Sequence, residues 1–396
     1  MGKITVTRAN GGLGRQAPGE DYISGLIFVN ATAPTGMTIG VASSVKTLAE
    51  AEALGITSAL FPVPHYHISE FFKMREKFTG LAQGILWIGF YTAFATTTIP
   101  AMQNNAGGKI RQVGVFLTDA FVSTLVTTCQ TGATTCESNS MPLSVLLAAD
   151  FTAVASSAVA DLRALNAKNV TVVIGEDGSG VGKSLRTSTT KSVTHLGAAL
   201  GCAASAGVHE NIGWVEKFPV QHDDEYTIIQ LATSDPNIIN TSNTIVDDLT
   251  TKGYCFLTSY VGVSGAYNND APTSVAVSSD YAYLENNRTI DKAVRQVRAA
   301  LVPKINNPLY VDSETGKLSN GTISTFKAVA MTALESMAAA GEISVKADGT
   351  LPTNSVLIDP DQNVLSTNKI EITIKIVPVG VAREIAVTIG FTTKIQ

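Results

Sequence analysis

The chain has 396 residues, more than one compact core usually takes, which predicts two or more domains. Only 15% of residues are charged, against roughly 25% in an average soluble domain, so the surface is suited to extensive subunit contact. The net charge of -5 gives no reason to expect a nucleic-acid partner.

Met1-Gly2-Lys3-Ile4-Thr5-Val6 lacks the apolar segment of a secretion signal, and Val6 stands where a myristoylation pattern needs Ser or Thr. Lys3 to Thr7 instead alternates as a short strand. It is followed by a Gly-rich linker through Asn10-Gly11-Gly12-Leu13-Gly14 and Pro18-Gly19. Residues 1-22 therefore form an N-terminal arm.

Residues 23-270 read as an α/β region. Strands are expected at Leu26 to Val29, Ile85 to Tyr91, Val113 to Leu117, Asn169 to Gly175, Tyr226 to Leu231 and Tyr254 to Leu257. Helices are expected at Val45 to Ala53, Ile68 to Phe78, Ser156 to Ala167 and His195 to Ala206. The Ser/Thr/Ala-rich patches around Thr96, Thr131 and Ser156 read as loops. Leu81 to Ala95 is the most apolar stretch. It is shorter than the ~20 residues of a membrane helix, and it reads as a buried strand.

Residues 271-380 change pattern. Asn286 to Val302 is an amphipathic helix with Ile290, Val294, Val297 and Leu301 on one face and Asp291, Lys292, Arg295 and Arg298 on the other. Ile323 to Ala340 is a second helix, striped with Ile323, Phe326, Ala330, Ala333, Leu334 and Met337. Thr322 is placed to cap its start and Gly341 to stop it. Lys369 to Ile376 alternates polar and apolar at every step, Pro378 interrupts, and Glu384 to Phe391 alternates again. Residues 381-396 thus form a C-terminal arm whose strand has no later segment to pair with. Ile4 and Val6 in one arm, and Ile385, Val387, Ile389 and Phe391 in the other, are the expected linkage residues between copies of the chain.

Several motifs suggest chemistry. Gly175 to Ser184 follows a strand and resembles a phosphate-binding loop, with Lys183 and Ser184 as phosphate and Mg²⁺ contacts. The spacing requires glycine at position 177, and Asp177 would repel phosphate; Ser184 to Thr190 is also a poor helix start. A solvent-facing loop is expected there, and a nucleotide-binding NTPase is the alternative function. His65-Tyr66-His67 with Glu70 has metal-like spacing on a strand but no third ligand nearby, so a structural role is expected. Asp359 to Asn363 lacks the glycine and glutamate of a calcium loop and reads as a turn, as does His222 to Glu225. Cys129, Cys136, Cys202 and Cys255 contain no Cys-x-x-Cys pair; zinc is not expected, and reduced thiols are the simpler reading. The five histidines are scattered, and no catalytic triad can be assembled by spacing. No cofactor or catalytic residue is expected.

The C-terminal third resembles the C-terminal domain of contractile tail sheath proteins of myophage tails, R-type bacteriocins and related injection systems. The resemblance runs in order through Asn287-Arg288-Thr289-Ile290, Pro308, and Met337-Ala338-Ala339-Ala340-Gly341-Glu342-Ile343. It continues through Ile370 to Ile376, Pro378, Ala382-Arg383-Glu384 and the last strand. Upstream, Ala203 to Trp214 is similar to a sheath segment with altered spacing. The match covers Tyr281 to Phe391, and departs most between Pro308 and Ser319 and between Gly349 and Asn368.

The resemblance implies a structural subunit of a helical sheath around an inner tube, linked to its copies by exchange of terminal strands. Contraction would drive the tube through a target envelope. It implies baseplate, tail-terminator and inner-tube partners, a virion tail or phage-tail-like particle assembled in the bacterial cytoplasm, and no membrane insertion of the sheath itself. It also offers Lys292, Arg295, Arg298 and Lys327 as tube-facing candidates.

Overall fold

The structure, a computed structural model, describes residues 20–236 and 244–387. The chain divides into two units, residues 1–291 and 292–396.

The first unit contains β1 (Ser24–Val29), β2 (Ser43–Val45), α1 (Leu48–Ala53), α2 (Pro62–Thr79), β3 (Leu86–Tyr91), α3 (Thr98–Asn105) and β4 (Gln112–Ala120). It continues with α4 (Ser123–Ser138), β5 (Ser144–Asp150), β6 (Val170–Val173), β7 (Gly175–Asp177), α5 (Val181–Thr189) and α6 (Leu196–Ser205). Then come β8 (Ile229–Leu231), α7 (Thr244–Lys252), β9 (Tyr254–Cys255), β10 (Leu257–Tyr260) and β11 (Val263–Asn268). The division falls within α8 (Leu284–Leu301). Beyond it lie α9 (Asn320–Ala339), β12 (Val356–Leu357), α10 (Val364–Thr367) and β13 (Thr373–Ile374).

Seven strands form one sheet in the order β2-β3-β1-β4-β5-β6-β9. All neighbours are parallel except β2, which runs antiparallel to β3. Parallel sheets are covered on both faces, and the strands here are accordingly continuous apolar runs: Leu26-Ile27-Phe28 and Val145 to Ala149 are all buried. The mixed α/β architecture is as the strand and helix alternation predicts. β7 leaves this sheet and pairs antiparallel with β8, Gly175 opposite Leu231.

Helices α2 and α6 pack closely because α6 is built of small residues. A Cβ on Gly201 would stand 2.8 Å from the Phe71 carbonyl oxygen, and one on Gly197 would collide with that of His67. Gly80, at φ +71, ends α2 in the left-handed conformation that glycine adopts at low cost.

Three expectations are corrected in this unit. Ser156 to Ala167 is not a helix: only Ser156–Ala158 makes a single 3₁₀ turn. Its amides go elsewhere, Leu162 N to Lys252 O at 3.1 Å and Arg163 N to the Asp161 carboxylate at 2.8 Å, while Val159 and Leu162 still reach the core. Thr131 lies inside α4, not in a loop. The α4 threonines turn their hydroxyls back on the helix, as Thr131 does to Thr127 O at 2.9 Å, while Val126, Cys129, Ala133 and Cys136 face the core. The four thiols are all free and buried; on α4, Cys129 and Cys136 are two turns apart, about 10 Å, beyond disulfide reach. Finally, His65-Tyr66-His67 lies within α2, where alternate residues diverge. His65 meets Glu52 at 2.8 Å, whereas His67 is fully buried against Phe28 and Phe116. Burial, then nearby His195, pushes the His67 imidazole down to about 3, so it stays neutral. Among the described residues no cluster of metal ligands exists.

In the second unit, Ala293, Val297, Ala330, Leu334, Met337, Ile343, Leu351 and Val356 form the core. The α9 stripe is as expected through Phe326, Ala330, Leu334 and Met337. Its cap is Ser319, not Thr322: the Ser319 hydroxyl accepts from Thr322 N at 3.2 Å, while the Thr322 hydroxyl donates to Tyr310 O. The α8 face is also rotated from the expected one. Val294 is 48% exposed and Ala293 takes the inward position; Asp291, assigned to the polar face, is buried.

Gly197→Ala should destabilise the full chain by about 1–3 kcal/mol or more, because the added methyl collides with backbone that cannot rotate away. Urea denaturation measures this; a variant as stable as the parent would refute the close α2–α6 approach.

Candidate assembly edge

The ladder around β13 begins with the Lys369 to Ile376 alternation. Ile372, Ile374 and Ile376 pack against the second core, while Glu371, Thr373 and Lys375 are exposed. The expected strand has this burial pattern, but its ladder is short. β12 and β13 pair Val356 with Ile374 and Leu357 with Thr373. Lys375 N donates to Ser355 O at 2.8 Å, and Ser344 N donates to Val377 O at 2.9 Å beside an Ile343–Pro378 bridge. Pro378 therefore sits in the ladder as an acceptor, its carbonyl taking the Ser344 hydroxyl at 2.8 Å.

The backbone-to-backbone bonds of this strand all use its odd-numbered residues, Thr373, Lys375 and Val377. In an extended strand the N–H and C=O groups of successive residues point to opposite edges. The edge facing Ser344 and β12 is thus occupied. The opposite edge carries the backbone groups of Ile372, Ile374 and Ile376, and among the described residues no backbone hydrogen bond reaches it. With one side-chain face on the core, the register of any strand added there would be fixed.

Of the expected linkage residues, Ile385 and Val387 are 79% and 71% exposed, in a segment that forms no strand. Over residues 384–387 the chain makes no ladder within its own subunit. Ile4, Val6, Ile389 and Phe391 lie outside the described residues. Among the tube-facing candidates, Lys292 is bound to Glu342 at 2.5 Å, which ties α8 to the residue after the Gly341 stop. Arg298 is exposed, and Arg295 and Lys327 are half-buried.

The phosphate-loop reading fails in geometry. Gly175 to Asp177 is a buried strand, not a solvent-facing loop. The amide at the start of α5, where a phosphate would sit, already donates to the Glu225 carboxylate: Val181 N lies 2.9 and 3.1 Å from its two oxygens. The His222 to Glu225 turn is solvated only at its tip, Asp223 and Asp224; Glu225 is buried and His222 reaches Glu70 at 3.3 Å. Asp359 to Asn363 does form a turn, with Asp361 N on the Asp359 carboxylate at 2.9 Å. No helix among the described residues is long and apolar enough to cross a membrane.

Two family models match the chain: DUF2586, N-terminal domain, over residues 1–272, and DUF2586, C-terminal domain, over residues 280–396. No curated protein matches it. Among solved structures the fold is that of a chain in the contracted helical sheath of the anti-feeding prophage (AFP). That match has a TM-score of 0.65 and 13% identity, covering 99% of both chains. A chain of the AFP baseplate matches with TM-score 0.62 and 13% identity, again over 99% of each. A chain of the contracted PVC sheath complex, from an extracellular contractile injection system, matches with TM-score 0.62 and 11% identity, over 100% of this chain and 98% of that one.

With a carboxylate in the anion position, ATP should not be hydrolysed by the purified chain, and Lys183→Ala should change nothing. Phosphate release is the measurement; turnover that disappears in Lys183→Ala would restore the NTPase reading.

Proposed function

Because the chain belongs to the DUF2586 family and shares a full-length fold with chains of contractile sheaths, we propose that it is a structural subunit of such a sheath. Copies assemble helically around an inner tube, and contraction drives the tube through a target envelope. The work comes from repacking of whole subunits between two arrangements, with no catalytic step. The subunit is placed in a virion tail or phage-tail-like particle, assembled in the bacterial cytoplasm. Its other partners are tail-terminator and baseplate proteins; the likeness to a chain of the AFP baseplate structure supports the latter.

The observation that carries this reading is the open edge at Ile372, Ile374 and Ile376, close in sequence to exposed Ile385 and Val387. An edge without partners is a template for a strand from a second copy. Such a contact joins unlike surfaces, so it propagates as a helix and does not close into a dimer. Each backbone hydrogen bond contributes about 0.5–1.5 kcal/mol net, so a single short ladder holds weakly. Links at both arms make every subunit multiply tethered, which multiplies their effect.

The tube-facing surface is assigned to α8 and α9, through Arg295, Arg298 and Lys327. Lys292 contributes less, because Glu342 compensates its charge. Tube binding through these cations should weaken as salt shortens the screening length.

Val387→Pro tests the linkage. Val387 is mostly exposed, so the folded chain should keep its stability within about 0.5 kcal/mol. The proline removes a ladder donor, and assembly should be abolished. Electron microscopy reads the outcome: normal tubes from Val387→Pro would defeat strand exchange through this arm.

A further inference from the structure

The Gly-rich stretch that resembles a phosphate loop holds a different site. Asp177, on β7, is fully buried. Its Oδ1 accepts from Ser179 N at 2.9 Å, the Ser179 hydroxyl at 2.7 Å and Tyr226 N at 2.9 Å. Its Oδ2 is shielded from solvent and meets no donor. Glu225, 5% exposed, accepts from Val181 N with both oxygens, and the amide of the next residue, Tyr226, lies on Asp177 Oδ1, which brings the two acidic residues together. The fit is close: a Cβ on Gly180 would stand 2.5 Å from the Glu225 carboxyl atoms.

No lysine or arginine forms an ion pair with either carboxyl group among the described residues. The surrounding charges are accounted for element by element. From α2, Glu70 is paired with Lys73 at 3.2 Å and His222 at 3.3 Å, Tyr66 shares a hydroxyl–hydroxyl bond of 3.0 Å with Tyr226, and Lys77 donates to Gln221 O. From α5 come the Val181 amide and, two residues on, half-exposed Lys183. The turn itself adds His222, exposed Asp223 and Asp224, and Tyr226.

A buried carboxyl group beside a second one, with no cation between them, favours its protonated form. We propose that Asp177 and Glu225 hold one proton between them in the folded subunit, and that this proton fastens the 222–227 turn to the start of α5. The proton fills the gap at Asp177 Oδ2, and the remaining negative charge is held by the Ser179 and Tyr226 donors on Asp177 Oδ1.

Burial, and then the neighbouring Asp177, push the Glu225 carboxyl up to about 7. The folded chain therefore keeps a proton that the unfolded chain loses in the ordinary carboxylic range. The fastening is complete below that range and is lost as pH rises through about 7.

Amide hydrogen exchange of the unassembled full-length chain tests this without relying on the sheath reading. After correction for intrinsic rates, opening of α5 should increase about tenfold between about pH 5 and about pH 8. In Glu225→Gln the amide keeps an oxygen for Val181 N–H and gives an N–H to Asp177, so opening should stay low at both. Asp177→Asn supplies the same bond from the other side and guards against misfolding of one variant. In the infrared, wild type near neutral pH should show a protonated-carboxyl band that both variants lack. PH-independent opening in the wild type, a wild-type profile in Glu225→Gln or Asp177→Asn, or no carboxyl band in the wild type would each overturn the shared proton.

Discussion

Backbone amides and carbonyls must have partners, and the strand through Ile372 to Ile376 has them on one edge only among the described residues. Ser355, Leu357 and Ser344 complete that edge. The isoleucines hold one side-chain face on the core, so the strand can neither slip register nor rotate to hide the other edge. Water can satisfy the open groups of a free subunit. A second chain does so with the added advantage of burying apolar side chains, and Ile385 and Val387 are exposed aliphatics of the kind such a strand would bury.

The two units are built for different demands. The first encloses a parallel sheet whose central strands are apolar on both faces, and two of its buried carboxylates are compensated by cations. Glu176 pairs with Arg186 at 2.5 Å, and Asp150 meets Lys191 at 2.7 Å. Such an interior tolerates little rearrangement. The second has a far smaller core, a cluster among the described residues with two alanines in its eight buried members. A small core contributes little stability alone, so adding a strand to it stands to gain the most.

Much of this was legible in the sequence, for identifiable reasons. Leu26 to Val29 and Leu86 to Tyr91 are apolar, β-rich runs bounded by breakers, and α9 carries a clear 3.6-residue stripe. α4 was missed because its threonines read as loop; the Val126, Cys129, Ala133, Cys136 spacing was the available signal. The Ser156 to Ala167 helix failed for the opposite reason, because its apolar spacing is satisfied by a loop whose Leu162 amide bonds to Lys252 and whose Arg163 amide bonds locally to Asp161. Asp177 correctly argued against phosphate binding, but its partner lies 48 residues away, where periodicity carries no information. The edge was visible as alternation, whereas which edge is open depends on hydrogen bonds to Ser344 and Ser355 that only the fold specifies.

Cryo-electron microscopy of the assembled particle, at a resolution that traces backbone, tests the central claim most directly. The account predicts a strand from a neighbouring copy hydrogen-bonded along Ile372, Ile374 and Ile376, repeated at every subunit of a helix around a tube. An assembly in which that edge faces solvent, or is covered by the same subunit's own chain, would contradict it.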